Sequence, residues 1–217
     1  MGQTYLISGG SGDIGLAVYH KLETLGHSPI AAYSSHKPDL EHTIHMDLTK
    51  TDSINNAISY LVENHADLSG VVLAASPAPT LSLFARITPE DMQTQLNVNV
   101  IGVQILLAGL VKIFKKNKSG AVVGVLTDAM GDSQSPAMSQ MGAYVIAKYG
   151  LLGVLKLLEA DYKWLSVDTV SPGFVETKML DSFDVRFLDM MRAQKPFQTA
   201  DQIADDIVEK ALNKKRA

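Results

Sequence analysis

The 217-residue chain is long enough for one large domain or two small ones, and with 46% apolar residues it excludes wholesale disorder. A net charge of only −4 argues against nucleic acid or an anionic membrane as partner. The absence of cysteine excludes disulfides, thiolate nucleophiles and zinc–thiolate sites.

The first residues, MGQTYLISGG, lack the basic-then-apolar plan of a signal peptide. Gly2 does not make a myristoylation signal, because Leu6 stands where that motif needs Ser or Thr. Tyr5-Leu6-Ile7 reads as a first strand, followed by a glycine-rich turn and a helix ending near Gly26. Ile30-Ala31-Ala32-Tyr33 is a second strand, Ile44-His45-Met46 a short third, and residues 51–64 a helix. The six His show no HExxH spacing, and His36, His42 and His45 fall in loop and short strand, so no metal is expected. Val71-Val72-Leu73-Ala74-Ala75 is a fully apolar strand.

Thr88-Pro89-Glu90-Asp91 combines a capping hydroxyl, Pro at the first helical position and acids in the first turn, and opens a helix running to about Lys116. The apolar stretch over 98–114 is interrupted by Asn99, Gln104 and Lys112, which predicts a buried helix rather than a membrane span. Residues 121–126 form a strand, 141–162 a helix and 167–170 a strand. Thr199 with Gln202 starts a last helix whose Ile203, Ile207, Val208 and Ala211 share one face. Basic runs at Lys115-Lys116-Asn117-Lys118 and Lys214-Lys215-Arg216 follow apolar helical patterns, where cations complement a helix C-terminus. Continuous rather than alternating apolar strands imply a sheet covered on both faces, hence a parallel sheet with crossover helices. The expectation is a single doubly wound α/β domain over residues 1–217, in a soluble cytoplasmic protein.

Ser8-Gly9-Gly10-Ser11-Gly12-Asp13-Ile14-Gly15 lies between the first strand and the first helix. A dinucleotide needs glycines there for the tight turn, for close backbone approach and for helix–strand packing, with its pyrophosphate at the helix N-terminus. No GK[ST] follows, so this is not a Walker loop, and Asp13 at the fifth position rules out a nucleophile elbow. At the end of the second strand no acid lies between Glu23 and Asp39; Tyr33-Ser34-Ser35-His36-Lys37 stand there instead. Hydroxyls and a lysine suit a ribose 2′-phosphate better than a diol, so NADP(H) is the preferred cofactor over NAD(H), with Ser34 and Ser35 as contacts.

Tyr144-Val145-Ile146-Ala147-Lys148 places a phenol and an ammonium one turn apart on one helix face. A nearby cation lowers a phenol's pKa, and the phenol then exchanges a proton with a carbonyl or alcohol oxygen as hydride moves. Taken alone, both residues are also ordinary on an amphipathic helix.

The chain resembles the short-chain dehydrogenase/reductase family over roughly residues 3–212. Gly9 and Gly15 are in register with that family's TGxxxGxG turn, in which Ser11 and Ile14 also fall, while Asp13 replaces the middle glycine and is expected to cap the helix. The resemblance implies a Rossmann-type fold and a single-domain oxidoreductase acting on a ketone or secondary alcohol. It implies Tyr144 as acid–base, Lys148 as its partner that also holds ribose, and Asn99, in Asn99-Val100-Ile101-Gly102, as support for Lys148. Asp47-Leu48 resembles the pair that holds adenine, and Pro172, Gly173, Val175 and Thr177 the segment at the nicotinamide end. The family's substrate-orienting serine aligns with Thr127, with Ser133 as second candidate. Its Asn-Asn-Ala-Gly element appears as Leu73-Ala74-Ala75-Ser76, where Ala74 and Ala75 still permit close cofactor approach.

Six strands are expected, the family's seventh being absent. Residues 178–198 would cover the pocket, their apolar residues and basic edges suiting either a hydrophobic or anionic-tailed substrate or plain packing. With the seventh strand gone, the apolar helices 88–116 and 141–162 are left as the pairing surface of a homodimer. A catalytically weak NAD(P)-binding sensor or scaffold of the same fold is the competing reading, because the serine and the asparagine pair are replaced.

Overall fold

A computed structural model describes residues 2–213. The basic run at 214–216 lies outside the described residues. Short β-branched and alanine-rich runs form six parallel strands: β1 (Thr4–Ser8), β2 (Ser28–Tyr33), β3 (Thr43–His45), β4 (Leu68–Leu73), β5 (Ala121–Val125) and β6 (Ser166–Val170). Their order is β3-β2-β1-β4-β5-β6, so the chain winds outward from β1 to one edge, returns, and winds to the other. This is the doubly wound order, with its switch between β1 and β4, where the loops leaving both strands diverge and open a crevice.

The helices are α1 (Asp13–Thr24), α2 (Thr51–Asn64), α3 (Pro89–Leu96), α4 (Val103–Asn117), α5 (Gly142–Asp161), α6 (Val185–Gln194) and α7 (Ala200–Leu212). One face of the sheet is covered by α2, α4 and α5 through Ile54, Leu61, Leu106, Leu110, Phe114, Leu151 and Leu155. The other face is covered by α1 and α7 through Val18, Leu22, Ile203, Ile207 and Val208. At the start of α7, Thr199 and Gln202 form the capping box that their spacing predicted, and Thr88 caps α3.

Two details differ from the sequence reading, in the helix over 88–116 and in the covering segment. The helix expected over 88–116 contains a π-helical turn at Asn97–Gly102 between α3 and α4. A π-turn redirects the side chains after it, and it lets Gly102 lie against the Leu48 carbonyl, where an added Cβ would stand 2.2 Å away. Pro89–Asn117 as a whole is long and apolar enough to cross a membrane, but Leu106, Leu107, Leu110 and Phe114 spend its apolar face on the core. In addition, α6 and a 3₁₀ turn at Lys178–Ser182 give the covering segment a regular structure, with the Asp184 side chain capping α6.

Candidate active site

The glycine turn is compelled by close packing. Gly9 adopts φ +70°, and a Cβ there would stand 2.7 Å from the Ala75 backbone. At Gly15 a Cβ would approach the Gly9 carbonyl to 2.2 Å. These contacts press the turn against the end of β4 and leave the first N–H groups of α1 facing the crevice.

Asp13 does not cap α1. Gly12 is the N-cap, with no side-chain bond, and Asp13 occupies the first helical position. From there its carboxylate accepts a bond at 2.8 Å from the backbone N–H of Lys178, 165 residues away. The carboxylate thus ties the glycine turn to the start of the covering segment. That segment is closed at its base by Glu176 N–H to Gln198 O at 2.9 Å and Gln198 N–H to Phe174 O at 3.1 Å.

A cleft of about 350 Å³ runs along the turn. Gly9, Ser11, Asp13, Ile14, Gly15 and Ala74 line one part, and Thr127, Tyr144, Lys148, Pro172, Gly173, Val175 and Thr177 another. The fit to a dinucleotide is good. The turn has no side chain to obstruct a pyrophosphate, helix N–H groups meet it, and Lys148 has donors to spare for hydroxyls.

Tyr144 and Lys148 sit in the first two turns of α5, and Thr127 lies two residues beyond the end of β5; all three are buried, at 6, 2 and 9% exposure. The Thr127 hydroxyl lies close enough to the Tyr144 phenol to pull its pKa down, and it accepts the Ala129 N–H at 3.2 Å, which fixes its position. Ser133 lies in the exposed 131–140 loop and does not line the cleft. The structure therefore brings Thr127, and not Ser133, to Tyr144.

The expected lowering of the Tyr144 pKa is absent here. Burial pushes the phenol up to about 12, against the pull of the Thr127 bond and helped by the Asp128 charge. Lys148 Nζ lies 5.4 Å from the Tyr144 ring centre and donates to the Val125 carbonyl at 2.9 Å. Burial alone pulls its pKa down to about 7. A buried amine near neutrality is a weak source of positive potential, so it does little for the phenol in this state.

Asn99 is fully buried in the π-turn. Its amide donates to the Gln95 backbone carbonyl at 3.1 Å and to the Gln95 side-chain oxygen at 3.2 Å, while its own Oδ1 has no protein partner. Gln95, itself buried, donates to the carbonyls of Ala78 at 3.0 Å and Pro77 at 3.3 Å. This amide chain anchors the loop after β4, whose Ser76, Ala78 and Pro79 line the cleft. Gln95 escaped the sequence reading because its only signal was a polar residue on a helix.

Ser34, Ser35, Asp47, Leu48 and Ala75 do not line this cleft. Ser34 and Ser35 are exposed at the end of β2, Ser35 within 3.0 Å of His36 Nδ1. Asp47 is occupied locally: Oδ1 accepts from the N–H and hydroxyl of Thr49, and Oδ2 pairs with Lys50 at 3.2 Å. Ala75 packs under Gly9, and Leu48 is buried against Gly102. The Thr177 hydroxyl donates to the Val175 carbonyl at 3.2 Å.

From the covering segment, Met179, Leu180 and Phe183 reach the cleft beside Phe174, Met138 and Met141. Phe174 stacks on Phe197 and Phe183 on Phe187, Phe174 meets Phe183 and Phe187 edge to face, and Arg192 lies over Phe197 while pairing with Glu176 at 3.0 Å. The basic edge expected at Arg192 is thereby neutralised within the segment. Phe174 and Asp128 also line the cleft, and the sequence reading gave neither a role.

A family model described as enoyl-(acyl carrier protein) reductase matches residues 18–211. The 3-oxoacyl-(acyl-carrier-protein) reductase of Rickettsia bellii is 27% identical over 194 residues, covering 84% of this chain and 77% of that protein. The acetoacetyl-CoA reductase of Synechocystis is 24% identical over 180 residues, covering 80% and 72%. Among solved structures, the 3-ketoacyl-(acyl-carrier-protein) reductase of Brucella melitensis, complexed with NADH, superimposes with a TM-score of 0.86 at 17% identity, over 98% of this chain and 91% of that one. An ElxO variant with NADPH bound gives 0.82 at 19% identity, over 98% and 92%. With its doubly wound sheet, glycine turn and Tyr144–Lys148 pair, the chain belongs to the short-chain dehydrogenase/reductase family of nicotinamide-dependent oxidoreductases.

Proposed function

We propose that the chain transfers hydride between NADP(H) and a ketone or secondary alcohol, with Tyr144 as the acid–base. The carrying observation is that Tyr144, Thr127 and the buried Lys148 open on one cleft at the end of the glycine turn, with the Thr127 hydroxyl close enough to act on the phenol.

Bound nicotinamide supplies the hydride. Gly9, Ser11, Ile14 and Gly15 cradle the pyrophosphate, Ala74 and Ala75 allow close approach, and Pro172, Gly173, Val175 and Thr177 border the nicotinamide end. Lys148 holds the ribose and, once its amine is charged against polar ligand groups, stabilises the Tyr144 phenolate. Thr127 orients the substrate oxygen, to which Tyr144 gives its proton. Asn99, held by Gln95, keeps its free Oδ1 as an acceptor supporting Lys148. The exposed Ser34 and Ser35, with no acid beside them, favour NADP(H) over NAD(H).

Among the relatives, both enoyl and 3-oxoacyl reductions are named. Two hydroxyls converging on one point suit protonation of a carbonyl oxygen, which favours the second chemistry. Tyr144→Phe removes the proton and keeps the ring, so turnover of a ketone should fall by roughly a hundredfold or more with NADPH affinity little changed. Near-normal turnover in that variant defeats the mechanism.

A further inference from the structure

Of the two acidic side chains among the described residues that line the cleft, Asp13 is tied to the Lys178 N–H and Asp128 lies on the Tyr144 and Thr127 side. It stands on a rigid 3₁₀ turn (Asp128–Met130): its N–H donates to the Pro172 carbonyl at 2.8 Å and its carbonyl accepts from Gly131 N–H at 2.9 Å. Its carboxylate lies over the Pro172-Gly173 backbone, so close that a Cβ on Gly173 would stand 2.8 Å from Oδ2. Among the described residues no side chain hydrogen-bonds or ion-pairs with it; the exposed Lys195 acts on it only through the longer-range field.

This charge has a cost for the chemistry already described. Partial burial in the cleft disfavours the carboxylate, and its field opposes formation of the Tyr144 phenolate. For a plain ketone it offers nothing in return. A substrate that brings a donor to it recovers the desolvation of the carboxylate and removes its field from Tyr144. Asp128 opens on the same cleft as Tyr144, and its charge reaches the phenol, so that donor belongs on a part of the substrate near the reacting oxygen, of which the adjoining carbon is the first able to carry it. The apolar wall of Met138, Met141, Phe174 and Phe183 then takes the rest of the molecule.

We propose that Asp128 is a specificity-determining residue that accepts a hydrogen bond from a hydroxyl or ammonium on the carbon next to the reacting carbonyl, so that α-hydroxy and α-amino ketones are preferred to plain ketones. The inference rests on the ketone-reductase reading above. The carbonyl carbon gains hydride from NADPH and its oxygen gains the Tyr144 proton, giving a diol or amino alcohol and NADP⁺; Asp128 undergoes no net change.

The test measures kcat/KM with NADPH for acetophenone, 2-hydroxyacetophenone and 2-aminoacetophenone in the wild type, Asp128→Asn and Asp128→Ala. Ratios between variants cancel the substrates' intrinsic reactivities. The wild type should favour both substituted ketones, and Asp128→Ala should reduce that preference at least tenfold. Asp128→Asn should keep part of the hydroxyl preference and lose the ammonium preference, because the amide accepts but carries no charge. An equal fall for all three ketones in Asp128→Ala, or no reduction of either substituted ketone by the wild type, overturns the proposal. Tyr144-dependent reduction of acetophenone without any such preference overturns it while leaving the ketone-reductase reading intact.

Discussion

Lys148 Nζ donates to the Val125 carbonyl at 2.9 Å, from a position 5.4 Å from the centre of the Tyr144 ring. The amine is buried, with no carboxylate among its hydrogen-bond partners within the described residues, and burial lowers its pKa to about 7 from 10.5. Below pH 7 both folded and unfolded chains carry the charge, and the folded state bears its full cost. Between about pH 7 and 10.5 the unfolded chain binds the extra proton, so stability rises with pH. Lys148→Met should therefore unfold less readily than the cofactor-free wild type at pH 6, by about 1–4 kcal/mol, with the gap closing toward pH 10. Denaturant unfolding of both proteins at pH 6, 8 and 10 measures it; a pH-independent gap refutes the assignment.

Thr127 has the geometry that Ser133 lacks. Thr127→Val keeps the shape, removes the hydroxyl and should cost about 1–3 kcal/mol in kcat/KM for a ketone. Ser133→Ala, in an exposed loop, should leave kcat/KM within about twofold. The reverse pattern would move the role to Ser133.

Ser34→Asp should place a carboxylate at the exposed end of β2, where the proposed NADP(H) reading puts the ribose. A 2′-phosphate is then repelled and a free diol gains an acceptor, so NADPH affinity should drop at least tenfold relative to NADH. Titration of both cofactors against wild type and variant reads this directly. Tighter binding of NADH than NADPH by the wild type would contradict the cofactor assignment.

Assembly is tested on the surface of α5. Most of the apolar surplus of α4 and α5 is consumed internally, since Leu106, Leu107, Leu110, Leu151, Leu155 and Leu158 are buried in the chain's own core. Ile146, Tyr149 and Leu157 remain exposed on α5, at 36, 49 and 63%, and Ile101 before α4 at 47%. A homodimer pairing this face should scatter light as twice the 23.4 kDa chain, and Leu157→Glu should shift it toward monomer. A wild-type monomer or tetramer at micromolar concentration would exclude it.

Much of the architecture was written locally. Fully apolar strands alternating with amphipathic helices require a sheet covered on both faces, and capping signals at Thr88 and Thr199 mark helix starts whatever the surroundings. The glycine turn and the Tyr144–Lys148 spacing were equally legible, because backbone sterics and helix periodicity act within a few residues. Tertiary structure alone decided what depends on groups far apart in sequence. Asp13 reads as a helix cap, yet its partner is the N–H of Lys178 on the other side of the cleft. Asp128 reads as a turn residue until β6 and its loop bring Pro172 and Gly173 beneath it. The Tyr144 pKa is governed first by burial, and burial is a property of the assembled core that no spacing of two side chains encodes.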